Sequence, residues 1–292
     1  MWQKLQRSRY RKQALAATAL LLSSCQMDVL HPEGPVGNRE VSLIVISTLV
    51  MLIVVLPAIF LTFFFAWRYR STNSKSTYDP TFNYSRSIDL TVWLVPFAIV
   101  CFLIVLDWRS TTALNPYKTL PGPEPTLRVE VIALDWKWLF IYPDEQIASV
   151  NQLVIPVGTQ VDFDITSDTV MNAFFIPQLG TQIYAMSGMV TQLHLIAKNP
   201  GTYRGLSANF SGAGFADMRF KTNAVSPTAF TAWSNRAKGA ASSLNMNSFQ
   251  ALAKPSTNNP VMYFKDATPG LFDNIVMAHS GPGPSSMRQA TE

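Results

Sequence analysis

Asp168 to Gly180 reads D-T-V-M-N-A-F-F-I-P-Q-L-G, and Gly201 to Met218 reads G-T-Y-R-G-L-S-A-N-F-S-G-A-G-F-A-D-M. The second stretch has the outline of a metal-binding loop: small residues, a turn-rich G-x-G and a terminal Met. It holds no Cys and no His, the side chains that grip transition metals most firmly. A loop shaped for metal but without strong ligands is what any functional reading has to explain.

Around this stretch the hydrophobic period is that of strands. Leu127, Val129 and Val131 alternate with Arg128 and Glu130, and Val161, Phe163 and Ile165 with Gln160, Asp162 and Asp164. Met218 and Phe220 alternate with Arg219 and Lys221. Turn residues intervene at Pro156 to Gly158, Pro177 to Gly180, Asn199 to Gly201 and Ser211 to Gly214. Short strands with this punctuation predict a β-sandwich or small barrel over 127–225. A C-terminal arm follows at 226–279, with short helices expected over Pro227 to Trp233 and Ser248 to Leu252. Its apolar residues, among them Phe264, Leu271 and Phe272, need a surface to pack on. The Gly/Pro/Ser-rich tail 280–292 has the composition of a disordered end.

The N-terminal third is of another kind. Charged residues make up only 14% of the 292-residue chain, against roughly 25% in a soluble domain. The 48% of hydrophobic residues crowd before residue 107. Two apolar runs, 41–67 and 88–106, are long enough to be membrane spans. Between them, loop 68–87 is basic, and 107–126 is a Pro-rich linker. Residues 1–24 have the basic, apolar and small-residue parts of an export signal. They end at Leu22-Ser23-Ser24-Cys25, which resembles the bacterial lipoprotein box. That resemblance implies a Cys25 carrying N-acyl and S-diacylglycerol chains; the alternative is an ordinary buried Cys. A polar linker, 25–40, follows. The signal and the basic loop agree on topology: the loop faces the cytoplasm, and everything after Asp107 lies outside it.

The net charge of +5 owes much to Lys4, Arg7, Arg9, Arg11 and Lys12, which suit a targeting segment and not a nucleic-acid surface. The two Cys, Cys25 and Cys101, both precede the β domain, so no disulfide framework holds that domain. The three His, His31, His194 and His279, are far apart in sequence and give metal chemistry no foothold. His194 reads as a hydrogen-bonded or surface strand residue.

A two-span hairpin, an outer β domain and the two quoted stretches together resemble subunit II of the haem-copper oxidases. Asp135-Trp136-Lys137-Trp138-Leu139-Phe140-Ile141-Tyr142 is similar to the family's aromatic W-x-W run. Asp168 to Gly180 is similar to its D-V-x-H-x-x-x-x-P-x-L-G segment. Gly201 to Met218 follows its G-x-x-x-G-x-C-x-E-x-C-G-x-x-H-x-x-M loop in length and framing. The resemblance covers roughly residues 25–225 and implies a cupredoxin-like sandwich behind a transmembrane hairpin.

Laid along that pattern, the copper-ligand positions are vacated. The first His falls on Met171, the two Cys on Ser207 and Ser211, the carbonyl-lending Glu on Asn209 and the second His on Phe215; only the Met remains, as Met218. A dinuclear copper centre needs bridging thiolates, and serine hydroxyls are hard, weak substitutes. Within the family this departure marks the quinol-oxidase branch, of the bo type. Phe174 to Met189, the arm at 226–276 and the lipoprotein box resemble that branch too. The resemblance implies a non-redox subunit of a proton-pumping ubiquinol oxidase, with no catalytic centre and no cofactor of its own. Haem and copper are then expected in subunit I, with smaller subunits III and IV as further partners, ubiquinol as substrate of the complex, and the bacterial inner membrane as location. Two alternatives stay open: a copper-bearing subunit II of a cytochrome c oxidase, and a free-standing cupredoxin-like lipoprotein. In the aromatic run, Trp136, Trp138 and Phe140 are expected on one strand face, packed against neighbouring subunits or the sandwich edge.

Overall fold

The two apolar runs form helices, α1 (Pro35–Arg68) and α2 (Arg86–Ala113). The computed structural model describes residues 27–73, 81, 84–120 and 125–280; the expected signal, Cys25 and the tail from 281 lie outside the described residues. At 1.5 Å per residue α1 extends about 51 Å and α2 about 42 Å, more than the roughly 30 Å of a hydrocarbon core. Both overrun the expected spans. α1 begins at Pro35, inside the expected polar linker, because a proline in the first helical turn has no needed N–H to lose. α2 runs on to Ala113, into the expected Pro-rich linker, whose first proline is Pro116. Pro57 and Pro96 lie inside the helices, where each removes one backbone hydrogen bond.

The N-terminal end of α1 is stitched to the β domain. Glu33 N–H donates to Gln178 O at 2.6 Å, Gly37 N–H to Leu179 O at 3.1 Å, and Lys198 N–H to Glu33 O at 2.8 Å. Gly34 permits this approach, since a Cβ there would lie 2.7 Å from Ile196 O and 2.8 Å from Leu179 O.

The β domain is the expected two-layer sandwich. One sheet holds β1 (Leu127–Leu134), β2 (Lys137–Tyr142), β3 (Ile147–Val150), β5 (Gln160–Ser167), β8 (Thr191–Ile196) and β11 (Met262–Phe264), in the order β11-β3-β2-β1-β5-β8. The other holds β4 (Gln152–Pro156), β6 (Asn172–Phe175), β7 (Ile183–Ala185), β9 (Gly201–Ser207) and β10 (Arg219–Val225), in the order β4-β10-β9-β6-β7. β1 with β5 and β4 with β10 are parallel; the remaining pairs are antiparallel.

Between the sheets lies an aromatic core. Phe174 and Phe220 stack at 5.2 Å, and Trp138 meets Phe174 edge-on at 5.4 Å. Gly205 is obligatory beneath Phe220, because a Cβ would fall 2.1 Å from the ring. This corrects the expectation for the aromatic run. Trp138 and Phe140 are fully buried in the inner core, not at an edge or outer interface. Trp136 is not on the strand at all; it occupies the β1–β2 turn with φ 64°.

The outer face of β1 and β2 is buried as well. Ile132, Leu134, Leu139 and Ile141 pack under Leu244, Phe249, Phe264 and Phe272 from the arm. All six residues of β2 are therefore buried, as in strands covered on both faces. The arm supplies α3 (Pro227–Lys238), α4 (Met246–Ala253), α5 (Leu271–His279) and the edge strand β11. Both expected short helices are present, and α3 runs five residues past its expected end, from Trp233 to Lys238. Lys137 fastens the arm: its buried ammonium donates to Leu252 O and Lys254 O, each at 2.8 Å, and to Ser256 Oγ at 2.6 Å.

Candidate functional site

The loop between β9 and β10 folds at one end of the sandwich, closed by a 3-10 turn over Phe215–Asp217. Its backbone is pinned at both sides: Ser207 N–H donates to Met218 O at 3.2 Å, and Ala208 N–H to Ala173 O at 3.0 Å. Ser207 is buried, and its hydroxyl is occupied. It lies 3.0 Å from Asn172 Oδ1 and 3.2 Å from the Asn209 carbonyl, and Ala173 N–H donates to it at 3.4 Å. The single hydroxyl proton thus has two acceptors, Asn172 Oδ1 being the nearer. Ser211 Oγ stands 3.9 Å from the buried Met218 sulfur. Phe215 is half-buried and packs edge-on against Phe210 at 5.6 Å.

Met171 does not join this group. It is 43% exposed, and only its main-chain oxygen takes part, accepting from Asn209 Nδ2 at 3.0 Å. Asn172 is buried in its place and faces Ser207. The reason is a one-residue difference in spacing. The quoted pattern puts Pro eight residues after Asp, whereas Asp168 and Pro177 are nine apart (177 − 168). Counting from the Asp selects Met171; counting back from Pro177 selects Asn172. The second count selects the residue that packs against Ser207.

Trp136 closes the loop from the other sheet. Its indole N–H donates to Ser211 O at 3.1 Å. Its ring lies over the glycines, since a Cβ on Gly214 would fall 2.4 Å from the indole. Gly212, with φ 109°, supplies the turn beneath it. Nearby, Asp135 accepts from Thr169 Oγ1 at 2.6 Å. Asp168 is held above the usual carboxylate range by burial, with His279 at 3.9 Å pulling the other way.

The residues present do not fit a dinuclear copper centre. Ser207 and Ser211 offer neutral hydroxyls where two ions would need bridging thiolates, Phe215 has no lone pair, and Asn172 offers an amide already hydrogen-bonded. Met218 leaves a single thioether. Among the described residues no three His, Cys, Asp or Glu side chains converge on one point. Ser207 and Asn172 are instead engaged in hydrogen bonds, and Phe215 in a ring contact with Phe210.

Comparison with known proteins places this arrangement. The profile described as cytochrome c oxidase subunit II, periplasmic domain, matches residues 143–225, and the COX aromatic rich motif matches 238–283. The second match falls on the arm that covers β1 and β2. The chain is 52% identical over 266 residues to ubiquinol oxidase subunit 2 of Acetobacter aceti, covering 90% of this chain and 86% of that one. It is 47% identical over 267 residues to cytochrome bo(3) ubiquinol oxidase subunit 2 of Pseudomonas aeruginosa, covering 91% and 81%. To quinol oxidase subunit 2 of Bacillus cereus it is 35% identical over 239 residues, covering 81% and 82%. A periplasmic-domain profile on the sandwich, together with two apolar helices of membrane-spanning length, makes this a membrane protein whose β domain lies outside the cytoplasm. With identity this high along nine-tenths of its length, the chain belongs to the ubiquinol oxidase subunit 2 family.

Proposed function

We propose that the chain is the non-redox, structural subunit II of a proton-pumping ubiquinol oxidase. It carries no cofactor; haem and copper belong to subunit I, where quinol electrons enter directly. The hairpin packs against subunit I and the sandwich covers that subunit's outer face, with subunits III and IV completing the complex in the bacterial inner membrane. The observation that carries this reading is Ser207. Its hydroxyl sits where a bridging thiolate would be required and is engaged by Asn172 and the Asn209 carbonyl. Electron entry through this domain would need ligands that the loop has exchanged for packing. The lipid anchor at Cys25 is part of the same proposal.

The test is purification of the membrane complex, with metal analysis and oxidase assays. The expected result is oxygen consumption driven by ubiquinol and not by cytochrome c, with all copper and haem accounted for by subunit I. Copper that stays with this chain after subunit I is removed would overturn the proposal. So would a chain that never co-purifies with a haem-bearing partner. Mass spectrometry of the mature N-terminus tests the anchor, and an intact Met1 would refute it.

A further inference from the structure

A cavity of about 200 Å³ opens at the joint between the helical hairpin and the sandwich. Val36 and Arg39 line it from the first turns of α1, Leu114 and Lys118 from the chain leaving α2, and Leu193 and His194 from β8. Its level in the membrane follows from these walls. Arg39 lies four residues into α1, and Leu114 is the cap of α2. The cavity therefore sits where both spans leave the hydrocarbon on the side of the β domain.

Its chemistry is one-sided. Arg39 and Lys118 form no ion pair among the described residues, and no carboxylate lines the cavity. The Lys118 ammonium donates to the Thr112 carbonyl at 3.1 Å, a neutral acceptor. His194 is not the hydrogen-bonded or surface residue expected. It is only 9% exposed, and its Nδ1 is buried without a hydrogen-bond partner. The nearest acid, Asp162, stands 3.9 Å from that nitrogen and accepts instead from Gln160 Nε2 at 2.7 Å. Val36, Leu114 and Leu193 add apolar lining beside these cations.

We propose that this cavity binds the phosphodiester headgroup of an anionic phospholipid from the leaflet next to the β domain. Two cations without carboxylate partners supply donors for phosphate oxygens. The apolar lining residues suit the glycerol and the first acyl carbons, while the chains run down the exposed apolar faces of α1 and α2. A lipid held there would stiffen the joint at Gly34 and fix the sandwich above the membrane.

The test uses the full chain, extracted in mild detergent with its partners and followed by native mass spectrometry. The probes are phosphatidylglycerol, phosphatidylcholine and inorganic phosphate. The expected result is selective retention of phosphatidylglycerol, weakened about tenfold or more in the double variant Arg39→Gln/Lys118→Gln. Arg109→Gln, which removes a cation near the membrane but outside the cavity, is expected to retain the lipid. The charge-preserving Arg39→Lys/Lys118→Arg variant is expected to retain most of it, which separates lost charge from a damaged fold. Equal retention of both lipids, or undiminished retention by the Gln double variant, would overturn the proposal. Displacement of the lipid by equimolar inorganic phosphate would make free phosphate the ligand and overturn the lipid assignment.

Discussion

The indole N–H of Trp136 donates to the carbonyl of Ser211 at 3.1 Å, so the β1–β2 turn of one sheet holds the β9–β10 loop of the other. Trp136→Phe keeps an aromatic ring near Gly214 and removes the donor together with the part of the indole over Gly212. The expected cost is about 1 kcal/mol, read as a lower thermal midpoint of the purified chain with unchanged secondary structure. A variant as stable as the parent would mean that water satisfies the Ser211 carbonyl equally well.

Lys137 is the corresponding fastener for the arm. Burial lowers the affinity of its ammonium for its proton, partly offset by Asp135, yet three oxygens surround the head. Lys137→Met fills similar space but leaves the Leu252 and Lys254 carbonyls without their donor. The expected loss is on the order of 3 kcal/mol, and limited proteolysis is expected to cut first near Lys254 to Asn259. An arm that stays as protected as in the parent would show that the apolar contacts of Phe249 and Phe272 hold it alone.

Much of this architecture was legible in the sequence, and the rest was hidden for identifiable reasons. Both membrane helices followed from long apolar runs, 41–67 without a charge and 88–106 with only Asp89, and β5, β10 and the first half of β1 from alternation. β2 gave no alternation, because an arm more than a hundred residues downstream covers its outer face; the apolar residues of the arm were visible, but not the surface they seek. Trp136 looked like a strand residue because the W-x-W spacing is that of a strand, whereas its left-handed backbone belongs to a turn. Ser207 and Ser211 each meet Met218, and with one extra residue before Pro177 it is Asn172, not Met171, that faces Ser207. His194 lines a cavity made by segments from three parts of the chain, which no local pattern reveals.

The outer face of β1 gives a pH dependence of stability. Burial raises Glu130 from 4.5 to about 7, although Arg128 at 3.4 Å favours its ionised form. The folded chain therefore holds this proton more tightly than the unfolded chain does. Stability from this group is full below about pH 4.5 and falls as pH rises to about 7, beyond which the loss is complete. Glu130→Gln removes the titration. The difference between variant and parent midpoints is expected to shift in favour of the variant across that window, by an amount on the order of 1 kcal/mol. A difference independent of pH would show that Arg128 keeps the carboxylate ionised throughout.

The identity of the inward position on β6 can be decided by rebuilding a copper site. Ser207→Cys, Asn209→Glu, Ser211→Cys and Phe215→His restore four of the family's residues around the existing Met218. The fifth is a histidine at position 172 or 171. Asn172 is buried, with its Oδ1 3.0 Å from Ser207 Oγ, whereas the Met171 side chain is 43% exposed. A histidine reaching the two thiolates must therefore start from position 172. The set containing Asn172→His is expected to retain two copper ions per chain after dialysis and to show mixed-valence electron paramagnetic resonance, since paired thiolates share the electron. The set containing Met171→His is expected to lose most of its copper and to lack that signal. Equal behaviour of the two sets would mean that the loop moves enough on binding metal to make the resting packing of β6 irrelevant.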